Sequence, residues 1–198
     1  MVSKKKSIAK KGLFIIYVGR GKGKTTAAMG LAIRAAGMGL NVYIIQFIKG
    51  EWPSGERNFI EAFNIMRQRY KSNKKIKIGR LKILASGRGF VKILGDKKPI
   101  GAHKKAARQA LELSQQAMLS HKYDVVILDE AISAIETKLI KINDLLKFVR
   151  LKPDMVHLVM TGHDAPKSLI TKADLVSDVK MVKHPYYQGV LAQRGIDY

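Results

Sequence analysis

The residues best equipped for chemistry stand close together in the stretch GRGKGKT, from Gly19 to Thr25. Glycines at 19, 21 and 23 let backbone N–H groups converge on an anion, and Arg20, Lys22 and Lys24 surround them with positive charge. Lys24 supplies a mobile cation, and Thr25, followed by Thr26, places a hydroxyl where a magnesium ion on a phosphate would need one. The spacing is one residue shorter than the phosphate-loop pattern G-x-x-x-x-G-K-[ST]: its first glycine would fall at Val18, whereas the chain has Gly19. The alternative is a flexible basic linker that matches by chance; an apolar run before the loop and a helical pattern after it argue against that. A second cluster lies in YDVVILDEA, where an apolar run ends in Asp129 and Glu130. Magnesium takes oxygen ligands from one or two carboxylates plus phosphates, so the pair complements the loop. By itself such a pair serves as readily as a helix cap or a salt-bridge partner.

The elements that must position these groups follow from the apolar pattern. Short runs rich in branched residues at Leu13–Val18, Val42–Ile48, Leu81–Ala85, Val125–Leu128, Val156–Met160 and Val176–Val182 predict strands. Several are continuous rather than alternating, as strands covered on both faces are. Amphipathic segments at Thr25–Ala36, Arg57–Arg69, Ala102–His121, Ile142–Leu151 and Ala165–Ala173 predict helices between them. Strand and helix in alternation imply an α/β fold: a mainly parallel sheet flanked by helices. Acidic residues at the end of a strand then sit at the edge where such sheets place ligands. Two segments break the rhythm: the basic tract Gln68–Arg80, an insertion or helix extension, and the glycine-containing loop Ser86–Gly101, a candidate lid.

Composition sets the bounds. The 198 residues suit one domain, expected over 12–198 behind a basic flexible tail at 1–11. A formal charge of +22 favours an anionic partner, or else a solvated lysine-rich surface, without choosing between them. Aromatic residues are 7% of the chain and do not interleave with the basic runs, so a base-stacking surface lacks support and nucleic acid is not the expected partner. The absence of cysteine excludes disulfides, thiol nucleophiles and iron–sulfur sites. The apolar run after the N-terminal lysines is too short for a signal peptide or a membrane span, which predicts a soluble, cytoplasmic protein. His103, His121, His157 and His184 show no metal-site spacing and are expected in helix, cap or packing roles.

Beyond the loop, the stretches QFIKGEWPSGERN, ASGRGF, VVILDEA, MTGHDAP and VKHPYYQGVLAQRGIDY follow one another in an order that resembles the ATP:corrinoid adenosyltransferase family, of P-loop (RecA-like) fold, in which the shortened loop is typical. The resemblance implies transfer of the 5′-deoxyadenosyl group of ATP to Co(I) of a reduced corrinoid with release of triphosphate, in adenosylcobalamin biosynthesis or salvage. It implies ATP bound in reversed orientation, a Mg²⁺ or Mn²⁺ ion, a homodimer and an electron-donor protein. Lys24, Thr25 and Glu130 are the implied catalytic set, with the metal on Thr25 and Glu130. Gly19 through Thr26 would bind ATP. Arg34 matches a position near the nucleotide, or else is a surface charge. Phe90 matches an aromatic of the corrinoid-facing loop, or else anchors that loop. Trp52, Glu56, Arg57 and Asn58, in the loop after the second strand, would shape the site, or else Trp52 has a purely structural packing role. Two positions depart from the family pattern: His163, where many members have arginine, and Lys92, where many have an aromatic residue. An ATPase acting on nucleic acid and a non-catalytic carrier of ATP or corrinoid are the competing readings, and the identity of the product separates all three.

Overall fold

The computed structural model describes residues 11–50, 54–70, 76–89 and 96–197. Trp52, Phe90, Lys92 and all but the last residue of the expected basic tail lie outside them. The strands are β1 (Phe14–Val18), β2 (Val42–Gln46), β3 (Leu81–Ala85), β4 (Val125–Asp129), β5 (His157–Thr161) and β6 (Leu175–Asp178). The helices are α1 (Lys24–Gly37), α2 (Gly55–Arg69), α3 (Ile100–Leu119), α4 (Ala131–Glu136), α5 (Ile142–Arg150) and α6 (Lys167–Ile170). Among the described residues the strands form one six-stranded sheet in the order β3-β2-β4-β5-β1-β6, and every pairing is parallel. All six strands therefore end at one edge, which gathers Val18, Gln46, Asp129 and Thr161 although the chain reaches them far apart.

The continuous apolar runs are explained by burial on both faces. Along β4, Val125 and Ile127 join a core under α1 and α2, while Val126 and Leu128 point into the opposite core with α3, α4 and α5. On the first face, α1 presents Ala28, Ala32, Ala35 and Ala36, small side chains that let the helix lie close to the sheet. On the second, Phe14, Phe148, Leu145 and Met118 fill the space between the strands and the longer helices. Burying each large apolar side chain contributes about 1.5–3 kcal/mol, so both layers hold the sheet edge rigidly under the site.

Most predicted elements are found within one or two residues of their expected bounds. The sixth strand is shorter than expected, ending at Asp178. Beyond it the Val179 amide bonds to the Val18 carbonyl and the Val179 carbonyl accepts from the Gly21 amide, so the chain there serves the loop rather than the sheet. The last helix is reduced to Lys167–Ile170, starting after Pro166. The six-residue α4, which follows β4 directly, was not anticipated. Lys11, expected as the last residue of the tail, is ion-paired to Asp174 at 3.0 Å.

Candidate active site

β1 delivers the chain to Gly19, whose φ of +111° lies in the left-handed region, and a side chain there would collide with the Asp178 carboxylate and the Val179 carbonyl. The Gly19 amide donates to the His163 carbonyl and the Gly21 amide to the Val179 carbonyl, each at 2.7 Å. These bonds tie the loop to the segments that follow β5 and β6. At Gly23, φ is +115° and the space beside Cα is open, as the turn into α1 requires. The amides of Lys24, Thr25 and Thr26 open that helix, where geometry gives them no intrahelical acceptor, and the helix dipole adds positive potential. Lys24 is 7% exposed, and its ammonium donates to the Gly21 carbonyl at 2.8 Å. An ammonium has three donors, so this bond fixes the side chain and leaves donors for an anion.

Asp129 is the hub on the other side. The β2–β4 register sets Gln46 beside it, and the Gln46 amide Nε2 donates to Asp129 Oδ2 at 3.1 Å. Thr25 Oγ1 and Thr161 Oγ1 both donate to Asp129 Oδ1 at 2.8 Å. Thr161 Oγ1 in turn accepts from the Glu130 amide at 2.8 Å. Asp129 is fully buried, so these bonds hold a carboxylate in a dry place and link the loop to three strands. Glu130 has φ +62°, unusual for a side chain of its size, and caps α4. Burial pushes its carboxyl above the ordinary value and the Asp129 charge adds to this, while Ser133, His163 and Lys24 pull the other way. It is a part-buried acid short of positive charge.

A cavity of about 510 Å³ opens beside the loop. Lys22, Lys24, Thr25, Thr26 and Glu130 form its polar end; Met29 and Ile33 of α1 and Phe59 and Ile60 of α2 form an apolar wall. Glu56 reaches the same cavity. Burial raises its carboxyl, but the Ser54 hydroxyl at 2.5 Å, its own backbone amide and Lys49 at 3.4 Å outweigh that and hold it below its ordinary value. A second basin, also of about 510 Å³, lies on the other flank of the loop. It is lined by Arg20, Lys22 and Lys24, with His163, His184 and Tyr186 facing them. Of the residues expected to shape the site, Arg34 is exposed near the end of α1, and Arg34, Arg57 and Asn58 line neither space. Phe90 and Trp52 lie outside the described residues.

Three contributors lie within the stretches that carry the family resemblance but were assigned no role there: Gln46, Thr161 and the C-terminal turn Gly195–Asp197, which walls the first cavity. Thr161 carried a faint signal, a polar residue closing an apolar strand. Of the four histidines expected in helix, cap or packing roles, His103, His157 and His184 have such partners, whereas His121 is exposed with φ +56°. His103 Nε2 lies 3.0 Å from the buried Asp96 carboxylate, His157 Nδ1 accepts from the Leu13 amide, and His184 Nδ1 accepts from the Tyr186 amide.

A strand feeding a glycine–lysine loop into the N-terminus of a helix, with an acid ending a nearby parallel strand, defines a P-loop nucleotide-binding protein. Among solved structures the chain is similar to the RadB recombinase, with TM-score 0.49 and 14% identity over 89% of this chain and 78% of that one. It is also similar to the flagellar accessory protein FlaH from Methanocaldococcus jannaschii, with TM-score 0.48 and 14% identity over 84% and 70%. A model of the ATP:corrinoid adenosyltransferase BtuR/CobO/CobP family matches residues 10–198. The corrinoid adenosyltransferase of Escherichia coli K12 is 31% identical over 95% of this chain and 86% of the relative. That of a Sinorhizobium species is 33% identical over 95% and 81%. The chain belongs to the ATP:corrinoid adenosyltransferase family.

Proposed function

We propose that this chain transfers the 5′-deoxyadenosyl group of ATP to the cobalt of a reduced corrinoid and releases triphosphate, and that the groups around Gly19–Thr25 and Asp129–Glu130 carry the reaction. Supporting this reading above all is the buried loop lysine and the Thr25–Asp129–Thr161 network opening onto a cavity with a long apolar wall. Such a wall suits a nucleoside and a corrin face.

The electron pair of Co(I) attacks C5′, the C5′–O bond breaks, and its electrons pass to the triphosphate oxygen. Co(I) needs no base to activate it, so the protein's task is to align C5′ with the metal of its substrate and to stabilise charge growing on the leaving group. Lys22, Lys24 and the first-turn amides of α1 perform the second task. Removing one such donor from a site of this kind costs about 2.7–4 kcal/mol of barrier. A magnesium or manganese ion fits the donor set, which is all oxygen: Thr25, Glu130 and, behind them, Asp129. The described residues hold no cluster of three or more His, Cys, Asp or Glu. Magnesium completes its shell with water and phosphate, so one or two carboxylates suffice. When bound, the ion would neutralise phosphate charge. Glu130 would hold it, and Asp129 would orient the Thr25 hydroxyl toward it.

The reading extends to a homodimer, a separate electron-donor protein and a cytoplasmic setting. No helix among the described residues is long and apolar enough to cross a membrane. The test is anaerobic incubation with ATP, magnesium and chemically reduced cobalamin, following the cobalt–carbon bond optically and the phosphate species by chromatography. Triphosphate released one-for-one with adenosylated corrinoid is expected. ADP and phosphate without a cobalt–carbon bond would overturn the proposal in favour of an ATPase, to be tested next with nucleic acid.

A further inference from the structure

The C-terminal turn does more than end the fold. Gln193 and Asp197 close it on themselves: the Asp197 amide donates to the Gln193 carbonyl at 2.8 Å, and the Gln193 amide donates to Asp197 Oδ2 at 2.7 Å. That leaves Oδ1, which is ion-paired with the Lys22 ammonium. Gly195, Ile196 and Asp197 thereby form part of the wall of the cavity beside the loop. Lys22 borders both that cavity and the second basin, so the partner it takes decides on which flank its charge stands.

We propose that Asp197 is a positioning residue for Lys22 and a placeholder for phosphate: its carboxylate holds the lysine on the cavity side until the polyphosphate of the nucleotide displaces it and releases the turn. The inference rests on the nucleotide reading of the loop given above. A triphosphate carries several negative charges against the single charge of a carboxylate, so it wins the exchange. The contest nevertheless weakens binding by the strength of the pair it must break. Lys22 is 44% and Asp197 22% exposed in the side chain. A pair in that setting is worth up to about 1 kcal/mol, which corresponds to about fivefold in affinity.

The decisive experiment is calorimetric titration of the full chain with magnesium tripolyphosphate, and separately with ATP, in four forms: wild type, Asp197→Asn, Lys22→Gln and the double variant. Asp197→Asn is expected to bind tripolyphosphate about two- to fivefold more tightly at low salt, with the gain shrinking as salt rises. In the Lys22→Gln background, Asp197→Asn is expected to change nothing; a fifth form, Asp197→Glu in the otherwise wild-type chain, keeps the charge and is expected to bind as the wild type does. Unchanged or weaker binding by a folded Asp197→Asn overturns the proposal. So does equal tightening with and without Lys22, because the effect would then be one of net charge alone. A wild-type chain that binds neither tripolyphosphate nor ATP refutes the nucleotide reading itself, an outcome distinct from the other two and visible without any cobalt chemistry.

Discussion

Replacing Asp129 by asparagine and by alanine should separate its structural role from its chemical one. The carboxylate is fully buried and accepts from Thr25, Thr161 and Gln46. Asparagine keeps an oxygen for the two threonine hydroxyls, whose bonds weaken from charge-assisted to neutral, a loss of about 1 kcal/mol each. Its amide nitrogen then faces the Gln46 amide, donor against donor. Among the described residues Gln46 Oε1 is buried without a partner, so the Gln46 amide can turn over and accept from the new nitrogen. The expected cost is about 2 kcal/mol, or a fall in Tm of about 4–8 °C for a chain of this size. Alanine instead strands Gln46 and leaves the hydroxyls to find new acceptors, at about 1–3 kcal/mol per unsatisfied group with a cavity besides. A cost of about 4 kcal/mol or more follows, a large part of the stability of a typical domain. Thermal melts by circular dichroism give the stabilities, and adenosylation of reduced cobalamin gives the activity, which should fall at least a hundredfold in Asp129→Asn while the protein remains folded. Equal destabilisation by both variants would refute the hydrogen-bond argument. Undiminished turnover by Asp129→Asn would refute the need for a charge at this point.

Lys24→Ala should abolish turnover while changing Tm by only a few degrees, because the side chain makes one bond to the Gly21 carbonyl and its loss also removes a buried charge; full activity would sink the site assignment. Glu130→Gln should lose most activity yet melt higher at neutral pH without added metal. Its folded carboxyl titrates above the ordinary value, so the folded chain binds the extra proton and stability declines as pH rises through that window, a penalty the amide does not carry. His157 has the opposite linkage. Burial, then the Lys152 cation, hold its imidazole below the ordinary value of about 6.5, and its neutral Nδ1 accepts from the Leu13 amide at 3.1 Å. The unfolded chain therefore takes up a proton first, and stability falls as pH drops from about 6.5 toward the folded value. His157→Asn keeps an acceptor and should flatten that slope in melts between pH 5 and 7.

What the sequence disclosed and what it withheld divide along the range of the interactions. The apolar run of β4 and the amphipathic pattern of α1 are local, and both were legible because a strand covered on both faces is apolar along its covered length and a helix lying on a sheet is apolar on one side. α4 was not: it has six residues, begins after a left-handed Glu130 and follows its strand without a linker, so no stretch of helical periodicity announces it. Gln46 acquires its role only because the sheet register sets it beside an acid 83 residues away. The Asp197–Lys22 pair depends likewise on the path of the whole chain. The short loop shows the same division. Its glycines promised amides for an anion, but two of those amides are committed to the His163 and Val179 carbonyls, partners that no local pattern could reveal. A loop tied down at Gly19 and Gly21 cannot wrap a phosphate with its whole length. On the function proposed above, the grip passes to the first turn of α1 and to Lys22 and Lys24. Substituting Gly19 should therefore disrupt the fold around β6, through collision with Asp178 and Val179, before it disturbs any contact to a nucleotide.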